Sequence, residues 1–299
     1  MTSLCILISS CDKYRHLAEW TASRIGRMWP GHPPVFFSGL TVPFSPECLS
    51  FSGDSRDWMG ITLQAVETLM TRGFSHVYLV LDDLPPVGFC HAQYLNEILP
   101  EYAGQLDASL VSLLGWGQHR PLEGRLLGPN THGLEHVPAE NRWRYSLHPG
   151  LWKLEALCEI LRIRCRQFGP GERTPWNFER HHPSDLHQIP TKFLESCYRI
   201  HGRSFVMEKL PWISDAIQSV GCFIVDVGLY LIRITRGQQA RQRAAARWHW
   251  PYCLYRGPYP IFWSGTMRQG KVGSEWTTFL KYFNPSRIAS EWESVRRKL

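Results

Sequence analysis

Apolar residues along this chain fall into short unbroken blocks that alternate with longer stretches of helical spacing. The block LCILISS, residues 4–10, has the length of a buried strand. Over residues 13–29, Tyr14, Leu17, Ala18, Thr21, Ile25 and Met28 recur at the spacing of one helix face. PVFFSG (34–39) reads as a second strand. DWMGITLQAVETLMTRG (57–73) predicts a helix with Ile61, Ala65, Val66, Leu69 and Met70 on one side, Asp57 at its N-cap and Gly73 past its end. HVYLVL (76–81) is a third strand, HAQYLNEIL (91–99) a helix, and LDASLVSLLG (106–115) holds a fourth strand. Such a series predicts an α/β fold, a Rossmann-like, mostly parallel sheet with helices on both faces.

In sheets of that kind ligands lie beyond the carboxyl ends of the strands, and there the third strand ends in Asp82 and Asp83, with Pro85 and Pro86 close behind. Neighbouring side chains on a strand point to opposite faces, so two adjacent carboxylates serve one site only if the chain is already turning. The prolines predict that it is. Two like charges at a sheet mouth need a counter-charge, and a divalent metal with oxygen ligands, Mn2+ or Mg2+, supplies one and would bridge to a diphosphate. The ordinary alternative is a polar turn in which Asp83 caps the next helix.

Other strand ends add to the picture. SSCDKY follows the first strand, where Ser9, Cys11, Asp12 and Tyr14 offer small polar groups, a carboxylate and a ring to a nucleotide base and ribose; a helix cap at Asp12 is the alternative. GDSRDWMG places Asp57 and Trp58 at the start of the second helix. In RYSLHPGLWKLEAL, Ser146, His148 and Trp152 are expected where strand meets helix, with Gly150 admitting a sugar ring to the backbone and Trp152 offering it an apolar face, unless Trp152 belongs to the core. Residues 116–142 have no clear period and exceed an ordinary connection, which predicts a functional loop. HHPSDLH (181–187) has no helical i, i+4 histidine pair and reads as a polar surface.

At 299 residues and 43% hydrophobic the chain can bury a full core. Its net charge of +7 suits an anionic ligand, and no recognised nucleic-acid motif accompanies it. Nine cysteines without a CxxC pair indicate neither a zinc site nor a disulfide framework and predict reduced thiols in a cytosolic protein. The N-terminal apolar block is strand-like and is not expected to be a signal peptide. Between Asp226 and Glu275 there is no acidic residue, while Arg233, Arg236, Arg241, Arg243, Arg247, Arg256, Arg268 and Lys271 fall there. The apolar run 212–235 is broken by Asp226 and is too short to span a bilayer. With the arginines behind it, it reads either as an interfacial helix on anionic lipid at the inner membrane face or as a helix packed on the core with a solvated basic face.

Taken together, LISSCDKY, DWMGITLQAV, YLVLDDL, RYSLHPGLWKLEALCEIL, PWNFE and GPYPIFWSGTMRQGKV resemble a family of bacterial GT-A-type glycosyltransferases from surface-polysaccharide gene clusters, over residues 4–180 and 256–275. Leu84 stands where the family has an aromatic, and His148–Pro149 interrupt its "SLQ.ALW" junction. The resemblance implies a GT-A core over residues 1–204 that binds a nucleotide-diphosphate sugar and an acceptor. Residues 205–299 would form a helical, basic extension returning to the active site at 256–275. It also implies Asp82 and Asp83 as holders of a metal at the leaving diphosphate, and Glu179, in PWNFE, as the base of an inverting transfer. Ser9, Cys11, Asp12, Tyr14, Asp57, Trp58, Asp82, Arg268 and Lys271 would contact the nucleotide-sugar. His148, Trp152 and Trp176 would contact a glycan acceptor, and the interfacial reading of the apolar–basic stretch would suit a lipid-linked one. A uridine diphosphate donor is expected. Without the resemblance Glu179 reads as a solvated helix residue paired with Arg180 or Arg173, and Arg268 and Lys271 as part of an exposed turn. A nucleotidyltransferase would need glycine in the turn after the first strand, and SSCDKYRH has none. A non-catalytic scaffold of the same fold is the other alternative.

Overall fold

Side chains along β1 (Leu4–Ser9) part to opposite faces, and both faces are covered, which is why the strand is apolar throughout. Cys5 and Leu7 meet one set of helices and Ile6 and Ile8 another. The computed structural model describes residues 3–113, 125–126, 134–139, 141, 144–180, 188–200, 231–232, 234–235, 254–255, 258–262, 265–268, 271–283 and 286–299. The loop HHPSDLH and nearly all of the apolar–basic stretch 212–250 lie outside the described residues. Among the described residues no helix is long and apolar enough to cross a membrane.

In chain order, β1 leads through α1 (Arg15–Met28) to β2 (Val35–Ser38), and α2 (Trp58–Thr71) to β3 (His76–Leu81). A π-turn at Tyr94–Ile98 feeds α3 (Leu99–Gln105), which is followed by β4 (Leu110–Ser112), β5 (Arg125–Leu126), β6 (Leu134–His136) and β7 (Gly150–Lys153). Then come α4 (Leu154–Gln167), α5 (Pro175–Glu179), α6 (Thr191–Glu195) and β8 (Cys197–Ile200). Two small pairs, β9 (Leu254–Tyr255) with β10 (Ile261–Phe262) and β11 (Met267–Arg268) with β12 (Lys271–Val272), precede α7 (Ser274–Phe283) and α8 (Ser286–Arg296).

The main sheet has eight strands in the order β2-β1-β3-β7-β4-β8-β6-β5. β1, β2, β3, β4 and β8 run one way, while β7, wedged between β3 and β4, and β6, beyond β8, run the other. The fold is therefore α/β with a mixed, mostly parallel sheet flanked by helices, compatible with a Rossmann-like class. α2 and α4 cover one face and α1 and α3 the other. α1 is buried on two sides, because Leu17 and Trp20 pack outward onto Trp276, Phe279, Ile288 and Trp292 of α7 and α8. Asp57 caps α2, its Oδ1 accepting the Gly60 N–H at 2.8 Å, and Gly73 beyond the end adopts φ +85°. β5 and β6 lie inside the 116–142 stretch expected to be a loop, and β6 extends the sheet edge against β8.

The antiparallel course of β7 corrects one expectation. Ser146 and His148 precede the strand instead of lying at its junction with α4. Because β7 runs opposite to β3, its entry lies at the edge where β3 exits, and these residues reach that edge from the other direction.

Candidate functional site

From β1 the chain crosses to β2 on one side and returns past β1 to β3 on the other, so the strand order reverses between the carboxyl ends of β1 and β3. There Ser10 Oγ donates to Asp82 Oδ2 at 2.6 Å. The Leu84 N–H bonds the Leu81 carbonyl at 3.1 Å, which closes a turn with Asp82 and Asp83 at its two central positions. Both carboxylates therefore leave the strand alternation and remain at the same edge. Asp83 caps no helix, since the next one begins only around residue 92.

Asp82 is buried and Asp83 half-buried. Burial, reinforced by the charge of Asp83, raises the Asp82 carboxyl well above the ordinary carboxylate range, against the opposing Ser10 hydrogen bond. Burial likewise pushes Asp83 up to about 7; its own N–H and that of Met267 oppose the shift, and the charge of Glu179 adds to it. Among the described residues no lysine or arginine forms an ion pair with either carboxylate. Loss of solvation without a protein counter-charge is the condition a divalent cation relieves, so the pair fits one, through Asp83 and the Asp82 oxygen that Ser10 leaves open. No group of three His, Cys, Asp or Glu arranged to ligate a metal occurs among the described residues, so phosphate and water oxygens would have to complete the shell.

Glu179 reaches this edge from α5. Thr174 caps that short helix by accepting the Asn177 N–H at 3.2 Å, and Phe178 anchors it against Trp58, with ring centroids 5.6 Å apart. Glu179 is buried, and its Oε1 accepts from the Leu147 N–H at 2.6 Å and from Ser146 Oγ at 3.4 Å. Ser146 Oγ lies 2.6 Å from His148 Nδ1, so Glu179, Ser146 and His148 form one hydrogen-bonded series. Arg173 does not pair with Glu179; it binds Asp57 Oδ2 at 2.8 Å. Trp176, on the same helix, is 62% exposed.

Two glycines let backbone close around the pair. Gly39, at φ +86° after β2, lies so near Ser10 that a Cβ would come 2.1 Å from the Ser10 carbonyl oxygen. Gly265, at φ +72°, faces Asp83, whose Oδ2 would lie 2.4 Å from a Cβ there. The Thr266 N–H then donates to the Asp83 carbonyl at 3.0 Å, so the β11–β12 hairpin bearing Arg268 and Lys271 starts beside the acidic turn. Lys271 is exposed.

Several expected ligands are engaged otherwise. Trp152 is fully buried between Tyr145 and Phe178, so it is a core residue and not an acceptor platform. The space over Gly150 is filled by Leu110, whose Cδ1 would lie 2.9 Å from a Cβ, so that glycine serves packing and admits no sugar. Both Asp57 oxygens are taken, by the α2 cap and by Arg173. Both Asp12 oxygens accept from Thr41, which joins the loops after β1 and β2. Tyr14 packs toward the tryptophan cluster of α7 and α8. Cys11 lies near Asp82, and burial together with that charge raises its thiol pKa. Ser9 shares the parity of Cys5 and Leu7 and so faces α2, where its Oγ accepts the Trp58 indole N–H at 2.8 Å. The hydroxyl that reaches the acidic pair is that of Ser10, one residue beyond the strand, a distinction the doubled serine alone does not make.

A scan against protein-family models and a search of curated proteins both return no match for this chain.

Proposed function

We propose that this protein is an inverting glycosyltransferase of the GT-A type, which moves a sugar from a nucleoside diphosphate, a uridine diphosphate sugar, onto the glycan acceptor of a surface polysaccharide. One observation carries the reading. At the switch point of the sheet Asp82 feels the charge of Asp83, and Asp83 that of Glu179, almost a hundred residues further on, with no basic partner for the acidic pair among the described residues. Keeping such charges together is costly in a protein without a ligand to share them.

Asp82 and Asp83 would hold the cation, which when bound supplies Lewis acidity to the departing diphosphate. Glu179 takes the proton of the attacking acceptor hydroxyl. The Leu147 N–H and Ser146 fix its Oε1, so Oε2 is the oxygen left to accept that proton. His148 orients Ser146 and through it the carboxylate. Trp176 offers its exposed ring to the apolar face of an acceptor sugar. Lys271 and Arg268, paired positions of the hairpin that begins beside the acidic turn, are assigned to the negative charge that grows on the leaving group.

Calorimetry with uridine diphosphate, with and without Mn2+, tests the reading. Metal-dependent binding that Asp83→Asn abolishes is the expected result. Equal heats for the two proteins, or none from either, would point to a non-catalytic scaffold and refute the assignment.

A further inference from the structure

Within itself the acidic turn is held by the Leu84 N–H bond to the Leu81 carbonyl. Pro85 and Pro86 have no N–H to donate, so its other carbonyl groups need donors from elsewhere. α1 supplies the outer two. Thr21 Oγ1 donates to the Asp82 carbonyl at 2.6 Å, and Arg24, one helical turn on, donates through Nε and Nη2 to the Pro86 carbonyl at 3.0 and 2.9 Å. Between them, the Thr266 N–H bonds the Asp83 carbonyl and Tyr259 Oη the Leu84 carbonyl, at 3.0 and 3.3 Å. Thr21 and Arg24 are buried, at 0% and 2% exposure. Arg24 is in turn held from α8 by Glu291, which also accepts from Arg27 and Trp20.

We infer that Thr21 and Arg24 are positioning residues for Asp82 and Asp83: they tie the acidic turn and the proline segment behind it to α1, so that the two carboxylates face one ligand instead of springing apart. Without Thr21 the Asp82 carbonyl loses its donor, and the segment is held from Asp83 onward by Thr266, Tyr259 and Arg24. Arginine suits the far end because its planar fork bonds one carbonyl twice, which a lysine ammonium does not reproduce. The inference rests on the reading of the acidic pair as the holder of a cation and a diphosphate.

The test compares Thr21→Val, which keeps the shape and removes only the hydroxyl, with Thr21→Ser, which keeps the donor. Affinity for uridine diphosphate with Mn2+ is read by calorimetry, and hydrogen exchange is read without any ligand. Thr21→Val should bind about tenfold more weakly and exchange its Asp82 and Leu84 amides about tenfold faster, while Leu79 within β3 keeps its protection. Thr21→Ser should stay within about twofold of the parent on both measures. If Thr21→Val does not fold, Arg24→Lys is expected to give the same pair of changes. Parent-like affinity or unchanged exchange in the donor-deleted variant overturns the inference alone, as does a serine variant as weak as the valine one. Absence of metal-dependent heat from the parent protein overturns it together with the proposed function.

Discussion

Asp83→Asn should make the metal-free protein more stable at pH 8, although it removes a charged residue from the proposed active site. The Asp83 carboxyl titrates at about 7 in the fold against 3.8 for an ordinary aspartate. Between those values the folded chain keeps a proton that the unfolded chain has lost. Stability therefore falls as pH rises from about 4 to about 7 and is level above. At about 1.36 kcal/mol per unit the whole shift corresponds to about 4 kcal/mol, and the part between pH 5 and 7 to somewhat under 3. Asp83 retains some contact with solvent, which screens its neighbours, so about 2 kcal/mol is the expected loss over that window. Asparagine carries no charge to desolvate and can still accept the Met267 N–H through its side-chain oxygen. Urea denaturation in EDTA at pH 5 and pH 8, followed by circular dichroism, measures both proteins. The parent should lose about 2 kcal/mol more than Asp83→Asn between the two pH values, and Mn2+ at pH 8 should restore stability only to the parent. Parallel pH dependences, or a variant less stable than the parent at pH 8, would refute the account of Asp83 as a desolvated, uncompensated acid.

Glu179→Gln should lower the transfer rate by about 10²- to 10⁴-fold while leaving Mn2+–uridine diphosphate affinity within about twofold, as followed with a labelled donor and by calorimetry. Trp176→Ala should raise the acceptor KM by up to about tenfold and change unfolding free energy by less than about 0.5 kcal/mol. Trp152→Ala should cost about 3–5 kcal/mol in urea denaturation, the loss of a filled core site. Gly39→Ala should destabilise by about 1–3 kcal/mol, read from thermal melts, because both its φ and the Ser10 carbonyl exclude a Cβ.

The local rhythm of the first hundred residues carried their architecture. β1, β2 and β3 show as unbroken apolar blocks because they are buried almost throughout, α1 and α2 show by their helical period, and Asp57 and Gly73 mark the limits of α2 by their own backbone chemistry. The turning of the chain at Asp82–Asp83 was legible for the same reason, since prolines act on their immediate neighbours. What stayed hidden depends on contacts between distant segments. Four residues of β7 do not say which way the strand runs, so Ser146 and His148 were expected at the wrong end of it. Trp152 has the composition of a sugar platform and the surroundings of a core residue, and only the packing of Tyr145 and Phe178 decides between them. Thr21 fits the apolar stripe of α1 and so read as core, although its hydroxyl holds the Asp82 carbonyl. Gly265 gains its meaning only once Asp83 is found against it.

The turn after β3 also sets a timetable for biosynthesis. Thr266, which holds the Asp83 carbonyl, follows Asp83 by 183 residues. At ribosomal speeds of ~5–20 residues per second, about 10–40 s separate the two. Through that interval Ser10 and Thr21, already made, can meet Asp82, while the Asp83 carbonyl still lacks the donor that Thr266 brings. The charged rim is sealed only after the scaffold beneath it has been synthesised.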